Sequence, residues 1–240
     1  MNKKDYIKEF ISKLSNLDRS RSVSTVFNDF LTLSCCSLAQ TVYRNDNLEQ
    51  KYLNIIKTYT KGQAEEFSKL FAFLVLGLEQ APQDFLGQIF MSLNLGSQAN
   101  GQYFTPYSVS KFMAEINFTE IESLQNNQLI TLSEPCCGSG ALIIAFAQTL
   151  REHNINYQQN LFVEAIDISE MCFKMTYIQL SLLGIPAKVV QGDSLSLKFQ
   201  QVLYTPFYFV NGFQVKMKQR YVKKEILRPT SNLNTQLKLF

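Results

Sequence analysis

The chain is 240 residues long, 46% hydrophobic and 18% charged, with a formal net charge of +3. That length accommodates one large domain or two modest ones with a sizeable core, and a mean hydropathy of −0.07 gives no hint of a membrane protein. The first residues run into an amphipathic pattern, not an apolar signal core, and the most apolar run, residues 67–78, has the length of a buried helix, so we expect a soluble, cytoplasmic protein with no membrane partner.

Residues 1–100 are predicted to be helical throughout, as a bundle or cap. Tyr6, Phe10, Ile11, Leu14 and Leu17 recur at helical spacing, as do Val23, Val26, Phe27, Phe30, Leu31, Leu38 and Val42. A third helix is predicted over 48–59, a fourth over 63–78, and a fifth that Pro82 opens and Gly96 closes. Nothing in this region has a catalytic pattern. Residues 100–107, Asn-Gly-Gln-Tyr-Phe-Thr-Pro-Tyr, break the helices. Tyr103 and Phe104 fall in a loop, and Thr105 with Pro106 makes the cap and first turn of a helix through Val109, Phe112, Met113 and Ile116.

Residues 129–144 organise the remainder. Leu129, Ile130 and Leu132 form a short strand, Glu134 and Pro135 end it, Gly138 and Gly140 make a turn, and 141–150 read as a helix. Strand, glycine turn and helix together build a nucleotide site in α/β proteins. Two cofactor readings compete. A dinucleotide fingerprint needs glycine or alanine where Ile143 stands, whereas the acid Glu134 before the turn suits a cofactor bearing positive charge, such as S-adenosylmethionine.

A second strand over 161–166 ends at Asp167. Ser169 then caps a helix through Cys172, Phe173, Met175, Ile178 and Leu182, which Gly184 and Pro186 close. A third strand over 187–190 leads to Gly192 and Asp193, and a fourth over 202–204 leads to Thr205-Pro206-Phe207-Tyr208. The alternation implies a Rossmann-like α/β domain with a parallel sheet and ligands at the strands' C-terminal ends. Glu134, Asp167, Asp193 and Thr205 all follow strands. Asp167 is positioned to accept from ribose hydroxyls and Asp193 from an adenine amino group; for each, capping its own turn is the competing role.

Cysteines 35, 36, 136, 137 and 172 lack zinc-site spacing, and their odd number argues against a disulfide framework. The one histidine, His153, is expected on the solvated surface and rules out a histidine-based triad. Between residues 213 and 240 stand seven of the 23 basic residues and one of the 20 acidic ones, leaving 16 against 19 elsewhere. Such a basic C-terminal tail either meets nucleic acid phosphates or is a solvated terminal segment.

These segments together resemble the N6-adenine DNA methyltransferases, in particular the modification subunits of type I restriction systems and short plasmid and phage relatives. Gly101-Gln102-Tyr103-Phe104-Thr105-Pro106 is similar to the family's segment at the methionine end of S-adenosylmethionine, and Glu134-Pro135-Cys136-Cys137-Gly138-Ser139-Gly140 to its D-P-A-C-G-S-G loop. The resemblance implies cofactor binding by Tyr103, Phe104, Thr105, Glu134, Gly138, Gly140, Asp167 and Asp193. It also implies DNA, and a specificity or other subunit, as partners, in a restriction-modification setting. Its catalytic N/D-P-P-Y/F motif corresponds to Thr205-Pro206-Phe207-Tyr208. Pro206 keeps a carbonyl for the target amino group and Tyr208 a ring for a flipped base, but Thr205 replaces an amide or carboxylate with a shorter hydroxyl. Residues 101–212 are accordingly read as the methyltransferase domain. The sheet looks shortened, because about three further strands are expected after the motif. Two functions follow: methyl transfer to adenine N6 in DNA, or a catalytically inactive module of the same fold that binds DNA or a partner.

Overall fold

A computed structural model describes residues 5–95, 104–119 and 128–226, apart from the side chains of Thr119 and 221–226. Tyr103 and the preceding Gly101 and Gln102 lie outside the described residues, as do Gly96 and the chain beyond 226.

Five helices come first: α1 (Tyr6–Leu17), α2 (Val23–Tyr43), α3 (Asp46–Ile56), α4 (Lys61–Gln80) and α5 (Phe85–Ser92). Their starts are written locally. Asp5, Ser22, Asn45 and Asp84 each accept a backbone N–H in the first turn, and Thr60 forms a capping box with Gln63. Pro82 does not open α5, as its position suggested. The helix starts three residues later, because the Asp84 side chain is the group that reaches the Gly87 N–H. Phe10 stacks edge-on against Phe30 at 5.0 Å and Phe85 at 5.8 Å, joining α1, α2 and α5.

Helix α6 (Tyr107–Thr119) follows the Thr105 and Pro106 pair. The sheet then runs β1 (Ile130–Glu134), α7 (Ala141–Glu152), α8 (Tyr157–Asn160), β2 (Leu161–Asp167), α9 (Glu170–Leu182), β3 (Ala187–Asp193) and β4 (Lys198–Tyr204), ending in α10 (Pro206–Val210) and α11 (Phe213–Ile226). Strand order is β1-β2-β3-β4, with the first three parallel. Leu161, Val163 and Ala165 join the main core, while Phe162, on the opposite face by strand alternation, packs against the Tyr208 and Phe213 rings.

The fourth strand departs from the all-parallel expectation: it pairs antiparallel with β3, Lys188 opposite Tyr204 and Asp193 opposite Lys198. Four residues, 194–197, join the two strands, and a parallel return needs a crossover of roughly a dozen residues or more. Only a hairpin fits. Two helices follow the hairpin. Residues 206–210 form the short helix α10 with Pro206 in its first turn, and α11 occupies the start of the basic tail.

One continuous cluster of buried side chains runs from α1 to β4. Helix α2 packs on α9, where buried Lys174 donates to Thr32 Oγ1 (2.9 Å) and Asn28 Oδ1 (3.2 Å) and pairs with Glu170 (2.9 Å). A buried lysine persists only when so compensated. Among the described residues, no helix is long and apolar enough to cross a membrane.

Candidate functional site

A cleft of about 810 Å³ opens at the C-terminal ends of β1, β2 and β3. Its walls include Phe104 and Thr105 before α6, Glu134 at the end of β1, Gly138 in the glycine turn, Asp167 at the end of β2, and Asp193 at the end of β3. Six sequence-predicted residues, four of them from separate strand ends or turns, therefore meet in one place. Gly140 stands just behind them as the N-cap of α7, at φ +94°, a conformation that suits a residue without Cβ. Phe104 also packs on Phe90, ring centroids 4.8 Å apart, so its ring serves both the loop and the cleft.

The glycine turn is pinned on all sides. Cys137 N–H donates to Ile166 O and Gly140 N–H to Cys137 O. Gly138 N–H donates to Asp167 Oδ2 at 2.8 Å, and Thr176 Oγ1 donates to Gly138 O at 2.9 Å. Ser139 Oγ donates to Asp84 Oδ2 at 2.5 Å, and Gln179 Nε2 donates to Ser139 O at 2.8 Å. Asp84, Thr176 and Gln179 had no place in the sequence reading. A signal was present in α9: Lys174, Thr176 and Gln179 are polar yet buried in a helix that is otherwise apolar on most sides, and most buried polar groups have hydrogen-bond partners.

Glu134 and Asp167 sit at neighbouring strand ends. Burial raises both carboxyls above the usual range; the backbone bonds from Cys136 to Glu134 and from Ser169 and Gly138 to Asp167 offset this in part, and the Asp167 charge raises Glu134 further. Asp167 spends one acceptor site of each oxygen on Gly138 and Ser169 (2.8 and 2.9 Å), which leaves lone pairs on both. Asp193 is solvated and held below the ordinary range by the Ser196 hydroxyl and the Leu195 and Ser196 N–H groups. It lines the cleft and also caps the β3–β4 turn. Ser110, fully buried on α6, lines the cleft too, and its hydroxyl has no partner among the described residues.

Thr205, Pro206 and Tyr208 do not join this constellation. Thr205 pairs with Ala187, six residues from Asp193 along β3, or roughly 20 Å at the rise of a strand. It is fully buried, with its hydroxyl accepting from Ala187 N–H (2.9 Å) and donating to Ile185 O (2.7 Å). Tyr208 stacks with Tyr204 at 4.4 Å and with Phe162 at 5.7 Å. The placement of Thr205 beside the other strand-end residues is thus corrected: the antiparallel β4 carries its C-terminal end to the opposite edge of the sheet.

His153 is at the surface, stacked on Phe118 at 3.9 Å and within 3.6 Å of Glu115. All five cysteines are free thiols; Cys136 is exposed and the other four are buried. In the basic segment, Lys216 donates to Gln159 O and lies over the Phe213 ring, and Arg220 donates to Leu129 O, so both fasten α11 to the body.

The N-6 DNA methylase family model matches residues 84–231. No curated protein matches the chain. Among solved structures it is similar to a Listeria monocytogenes protein described as a class I S-adenosylmethionine-dependent methyltransferase (TM-score 0.44, 15% identity, 79% of this chain and 54% of that one). It is also similar to the methyltransferase subunit of a type I restriction-modification system from Streptococcus thermophilus (0.39, 13%, 75% and 55%) and to DrdV in its complex with DNA (0.39, 14%, 75% and 20%). The chain spans about half the length of the first two. The family match runs unbroken from the Asp84 cap through the glycine turn and all four strands, and the chain belongs to the N-6 DNA methylase family.

Proposed function

We propose that the cleft binds S-adenosylmethionine and that the chain is the cofactor-holding part of a DNA adenine methyltransferase. The observation that carries this is the pair of half-buried carboxylates, Glu134 and Asp167, facing a glycine turn whose Gly138 N–H is already committed to Asp167. A dinucleotide site needs free N–H groups for its pyrophosphate; here a diphosphate would meet two acids instead, whereas a cation relieves their mutual repulsion. When bound, S-adenosylmethionine supplies an electrophilic methyl group carried on a sulfonium. On this reading Asp167 accepts from the ribose hydroxyls with its remaining lone pairs, Glu134 balances the positive charge, Asp193 lies toward the adenine end, and Phe104 and Thr105 lie toward the methionine end. The buried Ser110 hydroxyl offers a further donor to the same ligand.

The second reading, cofactor or DNA binding without transfer by this chain alone, is favoured by Thr205. Its hydroxyl has spent its proton on Ile185 and a lone pair on Ala187, so it is a poor acceptor for a target amino group. Transfer to adenine N6 then requires acceptor and stacking groups from a partner subunit. DNA would meet the basic end of the chain through cations that are not tied to the body, such as the exposed Lys218.

The test combines calorimetry with labelled S-adenosylmethionine, unmethylated DNA and mass spectrometry of nucleosides. We expect cofactor binding and no N6-methyladenine from the chain alone. Product lost in a Pro206→Ala/Tyr208→Ala variant would overturn the second reading, and no cofactor binding would overturn the first.

A further inference from the structure

Asp84 caps α5, in the helical region, yet its carboxylate lies against the glycine turn 55 positions later. It is 4% exposed and accepts three bonds: Ser139 Oγ (2.5 Å), Gln179 Nε2 (2.9 Å) and Gly87 N–H (3.0 Å). Gln179 closes the loop, donating to Ser139 O (2.8 Å) and accepting the Leu86 N–H (3.0 Å). Gly87 completes the fit, since a Cβ there would overlap both the Asp84 carboxylate and Ser139 Oγ. Every polar atom named has a partner. The arrangement costs the burial of a carboxylate, and the helix cap alone does not require it, because Asp commonly caps helices in water.

We propose that Asp84 is a positioning residue: through Ser139 and Gln179 it holds the glycine turn in its cofactor-binding shape, so that the helical N-terminal region sets the affinity of the cleft. The cofactor part rests on the S-adenosylmethionine reading above. The turn itself reports independently, because Cys136 is exposed while Cys137, next in sequence, is buried against Thr176.

Asp84→Ala removes all three acceptor bonds. Asp84→Asn keeps them: Oδ1 still accepts from Gly87 and Gln179, and the amide NH2 donates to Ser139 Oγ, a hydroxyl able to reverse its role. The experiment measures S-adenosylmethionine affinity by calorimetry and thiol labelling by peptide mass spectrometry on the full chain. For Asp84→Ala we expect affinity roughly ten- to a hundredfold weaker, the scale of losing hydrogen bonds to a charged group. The peptide holding Cys136 and Cys137 should pass from one label to two, with Cys35 and Cys172 still protected. Asp84→Asn should stay near wild type in both readouts.

Affinity within twofold of wild type and a single label in Asp84→Ala would overturn the proposal, as would an Asn variant that behaves like Ala. If Asp84→Ala unfolds, seen as labelling of Cys35 and Cys172, Ser139→Ala decides, since it leaves the α5 cap intact: a second label there supports the proposal and its absence overturns it. Wild-type protein that binds no S-adenosylmethionine, with the labelling pattern as expected, would overturn the cofactor reading and leave the positioning of the turn standing.

Discussion

The two ends of this sheet began with the same signal, a strand followed by a polar residue, and came to opposite uses. At the C-terminal ends of β1 and β2, Glu134 and Asp167 face an open cleft with acceptor capacity in reserve. At the far edge, Thr205 follows β4, is fully buried, and spends its hydroxyl on two backbone groups of its neighbour. Parallel strands collect their following residues at one edge, and an antiparallel strand sends its own to the other. Position after a strand therefore indicates a ligand site only once the strand's direction is known.

The contrast can be broken experimentally. The largest effect is expected from Asp167→Ala, which removes the anchor of Gly138 together with the proposed ribose acceptor. S-adenosylmethionine affinity should fall at least roughly a hundredfold in calorimetry, and unchanged affinity would sink the site. Thr205→Val tests the other end. It leaves Ala187 N–H and Ile185 O unpaired, so denaturant unfolding should show a loss of about 2–3 kcal/mol, with cofactor affinity unchanged. A large change in affinity with no loss of stability would put Thr205 back in the site.

A pH titration sharpens the first half of the comparison. The Glu134 carboxyl is raised by burial and by Asp167, and a cationic ligand favours its ionised form. Affinity should therefore rise with pH as the carboxyl loses its proton and weaken by roughly threefold to tenfold on acidification through that range. Glu134→Gln should bind more weakly and with a flatter profile; an equally steep profile would move the titration to another group. The smallest effect expected is from Ser110→Ala, about threefold in affinity, because only one hydroxyl is removed. No change at all would mean that the hydroxyl is simply buried without a partner.

Much of the site was legible because its determinants are local. The glycine turn, the acid before it, the Ser169 cap and the strand over 161–167 are set by neighbouring residues whose spacing can be read directly. Asp193 shows the limit of such reading: capping its own turn and a ligand role were competing readings, and the structure has it capping the β3–β4 turn while also lining the cleft. The direction of β4 was not readable in this way, because the predicted strands left residues 191–201 between them; only the longer observed strands shorten the connection to residues 194–197 and exclude a crossover.

What the sequence by itself determined is most of the elements up to β3: helix periodicity, caps and glycine conformations are short-range properties of the chain. What only the tertiary structure decided is which groups meet. Asp84 and Gln179 are 95 positions apart and share Ser139 only because α5 and α9 pack on the same turn. Lys174 pairs with Glu170 on its own helix, but it reaches Thr32 and Asn28 only because α2 lies across α9. Such buried polar contacts have no period in sequence. They depend on packing that brings distant segments together and removes water, and that removal makes each partner necessary.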